Sequence, residues 1–262
     1  ANPANESAST TKGFMSWNWK AGTGAGSSNT DGSINTTSTS VNSTAGFSIS
    51  TYTGTGSNAT VGHGLNAVVK FIILKNRTTG RNWQILHHKN TASPATQQLE
   101  FITDATATVT SQWNSVMPTN SVFSIGTNDS TNKSGDSFVA YCFAEKQGYS
   151  KFGSYTGNGN ADGTFVYTGF KPAWLMIKRT DSSSGSNWLM LDSTRSDTNA
   201  VNENLAANLS DTETSTDRCD FLSNGFKLRQ SGSTVNSSGA TYIYMAFGQS
   251  LVGSNNIPAT AR

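Results

Sequence analysis

Charge is scarce in this sequence. Only 13% of the 262 residues are charged, and 18 Lys and Arg against 16 Asp and Glu leave a formal charge of +2. The cations lie singly between Ser, Thr and Asn, and no basic stripe forms. Counterion release along a phosphate backbone requires clustered cations, so nucleic acid is excluded as a partner. Long apolar runs are missing as well. The longest, Ala67 to Val69 and then Phe71 to Leu74, is broken by Lys70. A membrane-spanning helix needs ~20 apolar residues in succession, so no membrane insertion is expected.

Cysteine is limited to Cys142 and Cys219. Cys142 sits in an apolar strand-like run and Cys219 in the polar stretch Asp217-Arg218-Cys219-Asp220. Neither has CxxC or metal-ligand spacing. They read as one buried and one partly exposed thiol, with a disulfide between the two halves as the alternative. No metal and no cofactor is expected. No charged start followed by an apolar stretch opens the chain; it reads as processed or as a stretch of a longer polypeptide, and its repeats favour the second.

Against these shortages, Ser, Thr and Asn fill more than a third of the positions, alongside 13 Phe, 7 Tyr and 6 Trp. That many aromatics can build a core, unlike a disordered composition. Internal repetition is the informative feature. Tyr52-Thr53-Gly54-Thr55-Gly56 returns as Tyr155-Thr156-Gly157-Asn158-Gly159, an offset of 103. Phe71 to Lys75 returns as Trp174 to Lys178, again 103. Asn82-Trp83 returns as Asn187-Trp188 at offset 105, and Ser134-Gly135 with Phe138 to Ala144 as Ser238-Gly239 with Tyr242 to Gly248 at offset 104. Phe14-Met15-Ser16-Trp17-Asn18-Trp19 echoes the closing strand of such a unit.

The expected organisation is therefore a remnant of an upstream repeat plus a polar connector over 1–45, unit one over 46–147, and unit two with a C-terminal tail over 148–262. The connector, rich in Gly, Ser, Thr and Asn, suits a linker or an extended surface strand. Within the units, Val68 to Leu74, Phe138 to Ala144, Ala173 to Ile177 and Tyr242 to Phe247 read as strands, the second and last apolar on both faces. Turn signals such as Asn224-Gly225 separate them. Only Val201 to Leu209 suggests helix. The fold class is all-β: tandem antiparallel β-sandwich units, jelly-roll or lectin-like, with a polar N-terminal connector.

An active site needs convergent acids, bases or nucleophiles. His63, His87 and His88 have no histidine at the matching places in unit two, and they read as loop-end imidazoles. Asp129, Asp136, Glu100 and Glu145 could pair for glycoside hydrolysis, but none lies in a motif. Asp192 and Asp197 lack calcium-loop spacing. Gly54-Thr55-Gly56 and Gly157-Asn158-Gly159 lack the ending of a phosphate loop and read as tight turns. No catalytic residue is assigned, and the chain is read as no enzyme. Trp83, Trp174 and Trp188 are expected in the core. The candidate ligand-binding residues are Trp113, His87 and His88, all in 87–132, where the units do not match. Trp113 reads either as an exposed stacking residue or as the anchor of a loop beside Met117-Pro118.

Several strings carry a resemblance. Phe152 to Gly159, Phe165 to Trp174, Asp220 to Arg229, Tyr242 to Phe247 and the tail from Asn255 to Arg262 resemble a repeat domain of tailed-phage virion-surface proteins of the marine phage type. The resemblance runs from Trp17 to the end. It implies a non-enzymatic structural protein at the virion surface, made in the bacterial host cytoplasm, with a tail fibre as the leading reading. Such a fibre would attach to a host cell-surface glycan or protein. It would associate with identical subunits, as a trimer, and with other virion proteins. A capsid-surface fibre or tail-shaft element, and a capsule depolymerase, are the alternatives.

Overall fold

The computed structural model describes residues 15–183 and 186–248. Expectations that fall on Phe14 and on the tail from 251 lie outside the described residues. The chain first forms strands β1 (Ser38–Asn42), β2 (Phe47–Thr53), β3 (Ala59–Gly62), β4 (Val69–Asn76), β5 (Gln84–His87), β6 (Gln97–Glu100), β7 (Ala107–Thr108) and β8 (Val122–Ile125). The short helix α1 (Asp129–Asn132) and β9 (Ser137–Ala144) follow. Then come β10 (Ser150–Thr156), β11 (Phe165–Tyr167), β12 (Pro172–Arg179), β13 (Leu189–Asp192), β14 (Val201–Ala206), β15 (Thr214–Leu222), β16 (Gly225–Leu228) and β17 (Thr241–Gly248). No helix among the described residues is long and apolar enough to cross a membrane.

The protein is all-β and its strand pairs are antiparallel. One sheet has the order β1-β2-β9-β4-β5-β6-β7, with β3 and β8 as a separate ribbon. The other has the order β10-β17-β12-β13-β14-β15-β16-β11. This second sheet curls until its ends nearly meet: the hydroxyl of Thr164, beside β11, donates to the carbonyl of Thr156 on β10 at 3.0 Å.

The repeats seen in the sequence are repeats of register. Tyr52 lies opposite Phe138, and Tyr155 opposite Tyr242. The β4–β9 and β12–β17 pairs each carry one irregularity, between Val69 and Phe71 and between Pro172 and Trp174. The β3–β8 ribbon corresponds to β11–β16, with Val61 opposite Phe123 and Val166 opposite Phe226. Side chains repeat too. Tyr52 stacks on Phe138 at 5.2 Å and Tyr155 on Tyr242 at 5.0 Å. Their hydroxyls donate to the carbonyls of Thr131 at 2.6 Å and Val235 at 2.7 Å.

A buried asparagine clasps the glycine turn of each unit. Asn132 Oδ1 accepts from Thr55 N at 2.8 Å, and its amide donates to Ser57 O and Gly126 O. Asn236 Oδ1 accepts from Asn158 N at 3.0 Å, and its amide donates to Asn158 Oδ1 and Asn160 O. The turns need glycine because a Cβ on Gly54 or Gly157 would lie 2.3 Å or 2.2 Å from a backbone carbonyl oxygen.

Three apolar layers result. Tyr52, Ile72, Leu74, Phe123, Phe138 and Cys142 build the core of unit one. Leu175, Ile177, Phe221, Phe226 and Tyr242 build that of unit two. The third layer joins the outer faces of the two sheets: Phe47, Phe71, Ile85 and Phe143 meet Phe152, Trp174, Trp188, Met245 and Phe247. Burial of each such side chain contributes ~1.5–3 kcal/mol. The doubly apolar strands of the sequence, β9 and β17, are those with a core on one side and the shared layer on the other.

Three expectations need correction, and one open choice is decided. Val201 to Ala206 is strand β14, held between β13 and β15; tertiary pairing overrides its mixed local preference. Cys219 is fully buried like Cys142, and both are free thiols. Trp83 is 38% exposed instead of in the core. The polar connector is incorporated into unit one: β1 extends its sheet beside β2, and Ile34 forms a parallel bridge to Val61. The choice between linker and surface strand therefore falls on strand over 38–42.

Candidate functional site

The structure does not bring Trp113 together with His87 and His88. Trp113 is fully buried in the core of unit one, so of its two readings the anchor holds. His87 and His88 are seam residues. His87, 1% exposed, donates from Nε2 to the carbonyl of Tyr244 in unit two at 3.0 Å. Its Nδ1 accepts from Lys89 N at 3.1 Å. Both ring nitrogens are thus satisfied by the neutral form, and burial pushes the pKa down to about 3. His88 donates from Nε2 to Phe152 O at 2.8 Å, and burial lowers its pKa as well. His63 is buried in unit one, where Nδ1 accepts from Leu65 N. Further ties cross the same seam. Trp188 Nε1 donates to Glu100 O at 2.8 Å, Thr106 N to Thr180 O at 2.9 Å, and the buried Lys178 ammonium to Thr103 O at 3.1 Å. Among the described residues no group of three or more His, Cys, Asp or Glu side chains could hold a metal ion.

An apolar concavity lies where the seam opens. There the shared apolar layer runs out into a groove of about 810 Å³ between the sheets. β2 and β9 contribute Ile49 and Tyr141, β4 contributes Ile73, and β13 contributes Met190. Side chains alternate along each strand, so the residues between these point into the core of unit one or of unit two. Trp83, just before β5, forms one wall. Its ring lies 6.3 Å from that of Tyr141, with the Lys75 ammonium 5.7 Å from its centroid. The indole N–H of Trp83 meets no acceptor among the described residues.

The N-terminal segment closes one end. Trp19 packs against Trp174 at 5.1 Å and Phe247 at 5.3 Å, and Trp17 edges onto Trp174 at 6.4 Å. Trp17 Nε1 donates to Asp192 Oδ2 at 3.3 Å, and the Arg195 guanidinium covers its ring at 5.3 Å. Arg195 is in turn fixed by Asp192 at 2.6 Å and by Glu213. The two tryptophans are half-buried on both units, as their apolar bulk requires, although they form no strand. Sequence reasoning missed the groove because its walls come from both units. The one available signal was that Trp83 and Trp188 occupy matching places.

The fold and groove define the class: an antiparallel all-β protein with a duplicated register and an aromatic cleft between its halves. The chain belongs to the family described as a domain of unknown function (DUF7483), whose model matches residues 1–250. No curated protein and no solved structure matches the chain.

Proposed function

We propose that the chain is a non-enzymatic attachment protein that holds a host-surface glycan in the groove between its sheets. The observation that carries this reading is the contrast between Trp83 and Trp188. Both precede the strand that pairs with the long strand after the irregularity, yet Trp188 is 1% exposed and Trp83 38% exposed. Exposing an indole forfeits stabilisation that the same position yields in unit two. Trp83 therefore offers a flat apolar face and a free N–H together, the combination that stacks on the C–H face of a sugar and binds a hydroxyl. Tyr141 and the exposed Ser210 on the rim add hydroxyls beside it.

The setting follows the resemblance: two tandem β-sandwich units of a phage tail fibre at the virion surface, assembled as a trimer of identical subunits. Light scattering on the full chain checks the assembly, and a monomer at micromolar concentration removes it. Glycan-array screening followed by calorimetry checks the site. Trp83→Ala is expected to weaken glycan binding by ~5- to ~150-fold, from a stacking contribution of ~1–3 kcal/mol. No glycan bound above background, or equal affinity in the variant, would overturn the reading.

A further inference from the structure

A second cavity, of about 480 Å³, lies at the end of unit two and shares no lining residue with the groove. It sits where the chain leaves β13 and enters β14. Its floor is apolar: Val201 and Phe221 are 1% and 2% exposed. Ser193, Asp197, Thr198 and Lys171 stand around it.

The loop that carries this rim is braced by other groups. Asn199 clasps the backbone of Phe221 in both directions, Oδ1 accepting from its N–H at 2.9 Å and Nδ2 donating to its carbonyl at 3.2 Å. Ser196 Oγ accepts from Asn202 N at 3.2 Å and Glu203 N at 3.0 Å. Asp192 Oδ1 accepts from Thr194 N at 3.0 Å and Arg195 N at 2.9 Å. The bracing leaves the Asp197 carboxylate and the Ser193 and Thr198 hydroxyls without a partner among the described residues. Other carboxylates of unit two differ: Asp192 is paired with Arg195, Asp220 with Arg229 and Asp162 with Lys227.

We infer that this cavity binds a neutral sugar residue. A carboxylate accepts from two adjacent hydroxyls at once, the flanking hydroxyls donate or accept as the ring requires, and the Phe221–Val201 floor takes the apolar face of the ring. One cation and one carboxylate do not make an anion site. The volume lies within the ~300–1,000 Å³ of small-ligand pockets. The matching turn of unit one offers no such place, because it folds onto unit two through His88. The inference is independent of the groove.

The test is an amide-resonance titration of the full chain with neutral hexoses and N-acetylhexosamines at millimolar concentration. Shifts are expected at 193–199 and 221, with the binding that they report weakened ~10-fold by Asp197→Asn, the loss of a charged hydrogen bond. Asp197 and Thr198 are exposed, so both Asp197→Asn and Thr198→Ala should fold; Thr198→Ala checks the site a second time with a smaller loss. No shift in this loop with any of the sugars, or equal affinity in Asp197→Asn, overturns the proposal.

Discussion

Unit one and unit two share a register but finish it differently. In unit two β15 bridges β14 to β16, so the β11–β16 ribbon is continuous with the main sheet. In unit one the equivalent β3–β8 ribbon stands apart, and β6 and β7 extend the main sheet toward the seam. Phe101, just beyond β6, then reaches across to cover Trp188 at 4.8 Å. Nothing comparable covers Trp83. One unit thus supplies the lid for its neighbour's tryptophan and leaves its own uncovered. A duplicated framework can support two local environments when the non-matching loops decide which face receives a cover.

The largest expected effect that would sharpen this contrast is on stability. Trp188→Ala removes a buried indole and should cost ~3–5 kcal/mol in denaturant unfolding. If it costs as little as a surface change, the two positions do not differ as described. The asparagine clasps should behave alike instead. Asn132→Ala and Asn236→Ala each remove three hydrogen bonds made by a fully buried amide and should each cost roughly 2–4 kcal/mol. A large loss in one and none in the other would break the equivalence of the turns.

Protonation also separates the units. His87 lies opposite Phe71, where unit two has Asp192 opposite Trp174. The folded His87 pKa is depressed from 6.5 to about 3. Below pH ~6.5 the unfolded chain therefore binds a proton that the fold refuses. Stability from this residue is complete above that pH and falls as pH drops toward 3, by up to about 1.4 kcal/mol per pH unit. His88 acts in the same direction. Urea midpoints at pH 7 and pH 4 should converge in His87→Gln relative to the parent; an unchanged gap would show that His87 does not carry the dependence. The smallest expected effect is that of Trp83→Ala on stability, below ~1 kcal/mol, with thermal unfolding as the check. A larger loss would mean that Trp83 is structural.

The periodic features were legible in the sequence. Glycine turns, apolar strands on both faces and constant offsets between 103 and 105 follow from local chemistry that each unit repeats. The groove was not, because a residue's exposure depends on what the other unit places over it. Trp83 and Trp188 look alike in sequence, and only Trp188 is covered by Phe101 and hydrogen-bonded to Glu100 O from the other unit. Cys219 was misjudged for a similar reason. Its flanking charges are read linearly in the sequence, whereas on β15 Cys219 and Phe221 share the inward face. The clasps were invisible, since Asn132 and Asn236 are two among many asparagines until Thr55 and Asn158 are folded back onto them.

The shared aromatic layer also governs how the molecule carries load. Between β9 and β10 the backbone crosses in five residues, 145–149, yet the halves also meet through the shared aromatic layer. Tilting one half against the other would drive water between Phe143, Trp174 and Phe247, so the short crossing cannot act as a hinge. Tension applied to one unit passes to the other through packed rings and seam hydrogen bonds, not through the crossing alone. The molecule should therefore resist force as a single rigid beam and yield all at once, where beads on a string would give way one after the other.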